Sequence, residues 1–302
     1  MMLTSMCNNT FNTSNITCVP ITNNTTCIKE PLQGVGYGLL FVLGFLVNAA
    51  ALRAFIAKRD CWTDTHVYMF NLAIADFALV LFIPFRVLDA FICMEPSKLC
   101  TFLIMIHYIN MYGSIMTTVA ISVQRYLAIR FPIQTRSWRK KKETAFAVCL
   151  VLWGLIVTMC LTFGSDNSPE KLWTCYERCK NLPLKSEFVL TLVLLGFLVP
   201  LLIIVFCSSQ IISILKKSDN KSVEFKRTIS IVTANMIVFI VCYTPIHISF
   251  IVNYYTSVSP DWQKNRKLLH EHTFLLVAEW IASTNCCFDS ISYYFLLTRF
   301  YS

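Results

Sequence analysis

The stretch CTFLIMIHYINMYGSIMTTVAISVQRYLAIRFP, Cys100 to Pro132, decides how the chain is to be read. At ~1.5 Å rise per residue, a helix over these residues is longer than the ~30 Å apolar core of a bilayer, so it has to cross at a tilt. Its polar residues are ordered along it. A cysteine opens it, His107, Tyr108, Asn110, Tyr112 and Ser114 punctuate the outer and middle turns, and Gln124, Arg125 and Tyr126 close it beside further basic residues. Such a helix can join an outward-facing pocket to a cytoplasmic surface. The plainer reading is one span of a transporter, with Arg125 reaching the interface on its aliphatic stem.

The rest of the chain is of the same kind. Of its 302 residues 56% are hydrophobic and 14% charged, against ~25% charged in soluble domains. Seven apolar runs, 34–57, 66–92, 99–130, 144–164, 187–215, 227–254 and 271–297, each meet the ~20 residues that a spanning helix needs. The expected fold is all-α, a seven-transmembrane-helix bundle at 34–297, with a tail at 1–33 and a short cytoplasmic end at 298–302. Lys58 and Arg59 follow the first run, Arg130, Arg136, Arg139, Lys140, Lys141 and Lys142 the third, and Lys216, Lys217, Lys221, Lys226 and Arg227 the fifth. Positive charge marks the inner side, which puts the amino terminus outside and the carboxyl end inside, at a plasma membrane. The net charge of +9 hugs membrane ends rather than forming a groove, so lipid phosphates account for it better than nucleic acid does.

The tail carries five N-x-S/T sequons, at Asn8, Asn12, Asn15, Asn23 and Asn24, and reads as a glycosylated extracellular segment. Asn220-Lys221-Ser222 fits the pattern on the cytosolic side, where it stays unmodified. Cys7, Cys18, Cys27, Cys93, Cys100, Cys175 and Cys179 fall on the oxidising side. Cys100 joined to Cys175 would pin the second outer loop over the third helix. Cys179 competes for that role, and the odd count leaves one thiol free or paired elsewhere.

Asp76, in NLAIADFALV, stands at mid-membrane, where a carboxylate costs ~3 kcal/mol without company. Asn48, Asn110, Ser114, Asn285 and Asp289 can supply that company. Two acids among amides and a hydroxyl suit a small hard cation such as Na⁺. The competing reading is a hydrogen-bonded structural network with one carboxyl protonated.

GFLVN with Asn48, NLAIAD with Asp76, Cys100, QRY with Arg125, Trp153, Pro200, FIVCYTP ending at Pro245, and NCCFDSISYY with Asp289 and Tyr293 together resemble the helix-by-helix signatures of rhodopsin-like (class A) G-protein-coupled receptors. Each motif is weak alone, but the ordered set spans all seven runs. YMFNLAIADF, MYGS and NCCFDSISYYF are similar to the purinergic and lysophospholipid branch, in particular to the lysophosphatidylinositol receptor and its kynurenate-responsive relative. The resemblance implies a heterotrimeric G protein, and arrestin, as partners. It implies that Arg125 with Tyr126 faces the transducer, that Ile115, Pro200 and Phe239 form a packed connector, that Tyr243 and Pro245 serve the sixth helix as switch and kink, and that Tyr293 helps hold the active state. The chain departs from the family pattern in several places. Gln124 replaces the acid before Arg125, Phe225 an acid on the sixth helix, Tyr243 a tryptophan, Ser208 a tyrosine and Ser290 the seventh-helix proline. Weaker locking of the inactive state and noticeable basal signalling are the expected consequences.

For the ligand, the decisive residue is Arg86, two residues after Pro84, because a cation in the outer half of a membrane helix needs a partner. The resembling lysophospholipid receptor carries a lysine at the matching place, and a lysophospholipid or small acid would use the bidentate guanidinium. Glu279 faces the same cavity in this reading and could neutralise Arg86 internally. His107, Tyr108, Met111, Tyr112, His247 and Phe250 read as the wall of a lipid or small-acid pocket. His107 stands where monoamine receptors have an aspartate, and Met111 near the kynurenate-type relative's arginine, which argues against both of those ligand anchors.

A multi-pass transporter or channel without G-protein coupling is the alternative. A retinal protein would need a lysine within 271–297, and that run has none. No serine, histidine and acid set suggests an enzyme. The sequence stops soon after Tyr293, which is short for an amphipathic cytoplasmic helix: either the tail is truncated or arrestin is left to loops with Ser218, Ser222 and Thr228.

Overall fold

The computed structural model describes residues 30–57, 62, 64–138, 142–164, 168–179, 182, 184–217, 223–258 and 267–291. The glycosylation candidates Asn8, Asn12, Asn15, Asn23 and Asn24, the tail cysteines and Tyr293 lie outside them, as does the side chain of Phe225.

Helix α1 spans Pro31–Ala57 and begins ahead of the apolar run, since proline in a first turn gives up an N–H that has no partner there anyway. Helix α2, Asp64–Ile92, holds Pro84 inside it. Helix α3, Lys98–Arg130, ends where Pro132 restricts the residue before it, and Pro132 itself opens the short α4, Pro132–Trp138, which the apolar pattern does not announce. Helix α5 is Lys142–Gly164.

The fifth run folds as one rod in three parts: α6 (Ser186–Val193), a π turn (Leu194–Leu198) and α7 (Val199–Lys217). Pro200 explains the widened turn, because it lacks an N–H and its ring crowds the carbonyl four residues back, at Gly196. Helix α8, Val223–Val258, contains Pro245, and α9 is Lys267–Ser283. A turn at Thr284 follows α9, and helix resumes through 285–291. At that turn Thr284 N–H is shared between the carbonyls of Trp280 and Ile281, each at 3.1 Å, and the Thr284 hydroxyl donates to Ile281 O at 2.6 Å.

Six of these rods are long and apolar enough to cross a membrane, with α6 and α7 taken together as one. α9 with its continuation makes the seventh. Leu39, Leu43 and Leu46 on α1, Leu150 and Leu155 on α5, and Leu202 on α7 are exposed, as lipid-facing side chains are. The interior is packed by Ile115, Ile204, Phe239, Tyr243 and Ile246 in one cluster that joins α3, α7 and α8. Gly113 lets α5 come close, since a Cβ there would lie 2.9 Å from the Trp153 ring. At the amino-terminal end of α3, Cys100 is bonded to Cys175, which fastens the loop after α5 over the head of that helix. Cys179, the competitor, is also disulfide-bonded, as is Cys93.

Candidate functional site

Arg86 leaves α2 just beyond Pro84, and its Nη1 donates to Glu279 Oε2 at 2.7 Å, with the two side chains only 10% and 15% exposed. The guanidinium carbon lies 4.0 Å from the centroid of the Tyr176 ring and 5.6 Å from that of Tyr37. Both tyrosines escaped the sequence reading, although Tyr176 is next to Cys175, which carries it over α3. Burial pushes the Tyr176 phenol up to about 12, with Arg86 partly offsetting the rise, so the ring stays neutral and offers its face to the cation.

The pair borders a cavity at the disulfide end of the bundle, the outer cavity, that His107, Tyr108, Phe250 and His272 also line. His272 Nε2 lies 3.2 Å from Glu177 Oε1, so α9 and the disulfide-anchored loop meet across it. Of the expected pocket wall, His107, Tyr108 and Phe250 do line this cavity. Met111 is packed into the core, and His247 lies beneath, 1% exposed.

Tyr112 faces elsewhere. With Tyr108, Met105, Met116, Met159 and Cys160 it lines an apolar cleft among α3, α5 and α6. The cleft reaches the lipid-facing surface at Met159 and Leu195, both exposed. No single residue announced it, because methionines and a cysteine from separate helices become a groove only once the rods are packed. Tyr108 belongs to both cavities, so the polar chamber and the apolar cleft share a wall.

Deeper in the bundle, Asn110 Nδ2 donates to Asp76 Oδ1 at 3.2 Å. Ser114 donates to Asp289 Oδ2 at 2.9 Å, and Asn285 Nδ2 reaches both Ser114 Oγ (2.8 Å) and Asp289 Oδ2 (2.6 Å). Asp76 is fully buried, and among the described residues its Oδ2 has no hydrogen-bond partner. Asn48 donates to the carbonyls of Gly44 and Cys286 and accepts from the Ser290 hydroxyl at 2.6 Å. Ser290, noted only as a departure, therefore ties the seventh rod to α1.

A second cavity, the inner one, runs from Asn285 and Asp289 past Tyr243 and Phe239 to Arg125. Tyr126 meets Phe206 edge-on at 5.8 Å. Gln124 Oε1 accepts from the Thr65 hydroxyl at 3.0 Å, so the residue in the acid's place is bound to α2. Ile115 and Phe239 share the central cluster, and Pro200 is buried beside it.

Residues 47–293 match the 7 transmembrane receptor (rhodopsin family). The chain belongs to that family. Among its relatives are human G-protein coupled receptor 35, 32% identical over 87% of this chain and 83% of its own, and chicken (Gallus gallus) lysophosphatidic acid receptor 6, 32% identical over 88% and 90%. Human G-protein coupled receptor 55 is 30% identical over 90% of this chain and 87% of its own. The receptor is accordingly a multi-pass G-protein-coupled receptor of the lysophospholipid and purinergic-like branch, not a transporter, channel or enzyme, and a G protein is its partner.

Proposed function

We propose that this receptor is switched by a single-chain anionic lipid, with a lysophospholipid as the preferred class. The observation that carries the reading is the union of a partly buried guanidinium, Arg86, with an apolar cleft through their shared wall at Tyr108. An anionic headgroup at Arg86 and a hydrocarbon chain along the cleft is the ligand shape that uses both. Similarity to receptors named for lysophosphatidic acid supports it. The headgroup has to draw Arg86 away from Glu279, so the ion pair sets a threshold for binding.

Asp76, Asn110, Ser114, Asn285 and Asp289 fit a Na⁺ ion, and the unpartnered Asp76 Oδ2 supports that assignment. An ion held there would supply positive charge to the buried carboxylates and would favour the packing that brings them together. In this reading the amino terminus is extracellular and glycosylated, and arrestin is a further partner.

The experiment is GDP release from a panel of G proteins by the purified receptor in nanodiscs, with lysophospholipids and small organic acids as probes and with NaCl exchanged for choline chloride. Lysophospholipid-driven exchange that Arg86→Ala abolishes without loss of surface expression is expected, together with a Na⁺ effect on agonist potency that Asp76→Asn removes. Activation by small acids alone would discard the lipid reading. A Na⁺ effect that survives Asp76→Asn would discard the ion site.

A further inference from the structure

Tyr112 stands where the cleft meets the core, and its surroundings allow it little freedom. A Cβ on Gly196 would lie 2.5 Å from Tyr112 Cε1, so the tyrosine ring rests on the bare backbone of the π turn. On another side it stacks on Tyr108, with centroids 6.4 Å apart and planes 2° from parallel. Its hydroxyl reaches His247 Nε2 at 3.2 Å. His247 Nδ1 is 2.7 Å from the carbonyl oxygen of Tyr243, which can only accept, so Nδ1 carries the ring proton. Nε2 of the neutral ring then holds a lone pair, and the Tyr112 hydroxyl donates to it.

His247 is in turn joined to the connector. Its ring stacks on Phe197 at 4.4 Å and 14°, Phe197 lies parallel to Phe239 at 6.1 Å, and Phe239 meets Tyr243 edge-on at 5.2 Å. One side chain that lines the cleft is thus linked, through a buried histidine, to the aromatic stack beside Pro200 and Pro245. The two partners of that bond sit on α3 and α8.

We propose that the Tyr112–His247 hydrogen bond is a latch that holds α3 and α8 in the resting packing and that an occupant of the cleft opens it. The part played by the occupant rests on the lipid reading above, whereas the latch does not. The terminal carbons of a chain lying along Met105, Met116 and Met159 meet the Tyr112 ring, and because Gly196 and Tyr108 hold the ring's body, the ring gives at its hydroxyl end. Gly196 then sets the depth of the cleft and, with it, the chain length that the receptor prefers.

The test is a double-mutant cycle in basal GDP release, measured on full-length receptor in nanodiscs with no lipid agonist added. Tyr112→Phe removes one oxygen and no volume from the cleft, and His247→Leu removes the acceptor. Each single variant is expected to raise basal exchange about fivefold, the ratio that matches one net hydrogen bond, and the double variant no further. Unchanged basal exchange in Tyr112→Phe, or effects that multiply in the double variant, overturn the latch. The second arm uses saturated lysophosphatidic acids of increasing chain length. Tyr112→Phe is expected to compress the spread of potencies, and Gly196→Ala to move the optimum to shorter chains. An unchanged ranking in both variants overturns the role of the cleft. Should no lipid act on the wild type, the ligand assignment falls with it, while the basal cycle still decides the latch.

Discussion

Arg86 and Glu279 close the outer cavity on one side, and the chemistry of that pair sets what each substitution does. Both are largely buried and share a 2.7 Å contact, so removing one charge strands the other in a poorly solvating site. Glu279→Gln should therefore lower thermal stability in detergent by about 2 kcal/mol and, because Arg86 is no longer held internally, tighten binding of an anionic lipid. A thermal-shift assay paired with competition binding checks both directions. Weaker lipid binding in that variant would mean that Glu279 itself contacts the ligand. Gln124 makes a second prediction at this scale. Its hydrogen bond with Thr65 is neutral and leaves Arg125 without a carboxylate at the preceding position, so Gln124→Asp should lower basal GDP release by restoring that charge. Equal basal rates in the two proteins would reject weak locking as the consequence of the exchange.

Among the elements, the seventh rod is the one whose behaviour turns on side chains rather than hydropathy. Loss of one hydroxyl in Ser290→Ala leaves Asn48 Oδ1 without its 2.6 Å partner in a fully buried place, which should cost about 1 kcal/mol of stability. The same change should loosen α1 from the seventh rod, readable as faster hydrogen exchange at both. Thermal stability equal to wild type would show that Asn48 finds a replacement partner. The rods themselves were legible because length and apolarity alone oblige a chain to span a bilayer, and the observed ends of the first six depart from the expected runs by only a few residues. The π turn was legible only in part: Pro200 announces an irregularity, but not which way the chain widens. The turn at Thr284 had no such mark, since it depends on a threonine hydroxyl folding back onto Ile281 and on the pull of Asn285 toward Ser114 and Asp289. The polar cluster could be named from sequence because each member is expensive in hydrocarbon. The methionine cleft could not, because nothing distinguishes a groove-lining methionine from a core one before the helices are packed.

For the whole molecule, the outer cavity and the inner one have no lining residue in common among the described residues. They meet through the central cluster of Ile115, Ile204, Phe239 and Tyr243, with prolines in the rods on either side of it. A packed core of this kind does not deform continuously, so occupancy above and opening below must be coupled through a choice between two packings. Coupling of that sort is reciprocal: whatever factor the agonist adds to transducer affinity, the transducer must add to agonist affinity. A nucleotide-free G protein bound at Arg125 should accordingly tighten lysophospholipid binding by a factor between about 5 and 150, and a saturating lipid should tighten G-protein binding by the same factor within error. Arg125→Ala should cancel both effects together while leaving lipid affinity of the receptor alone unchanged, because Arg125 lines only the inner cavity. Radioligand binding with and without the transducer, set beside transducer binding with and without lipid, gives the two factors. Factors that differ would mean that the lipid and the transducer select different packings, and that more than two states carry the signal.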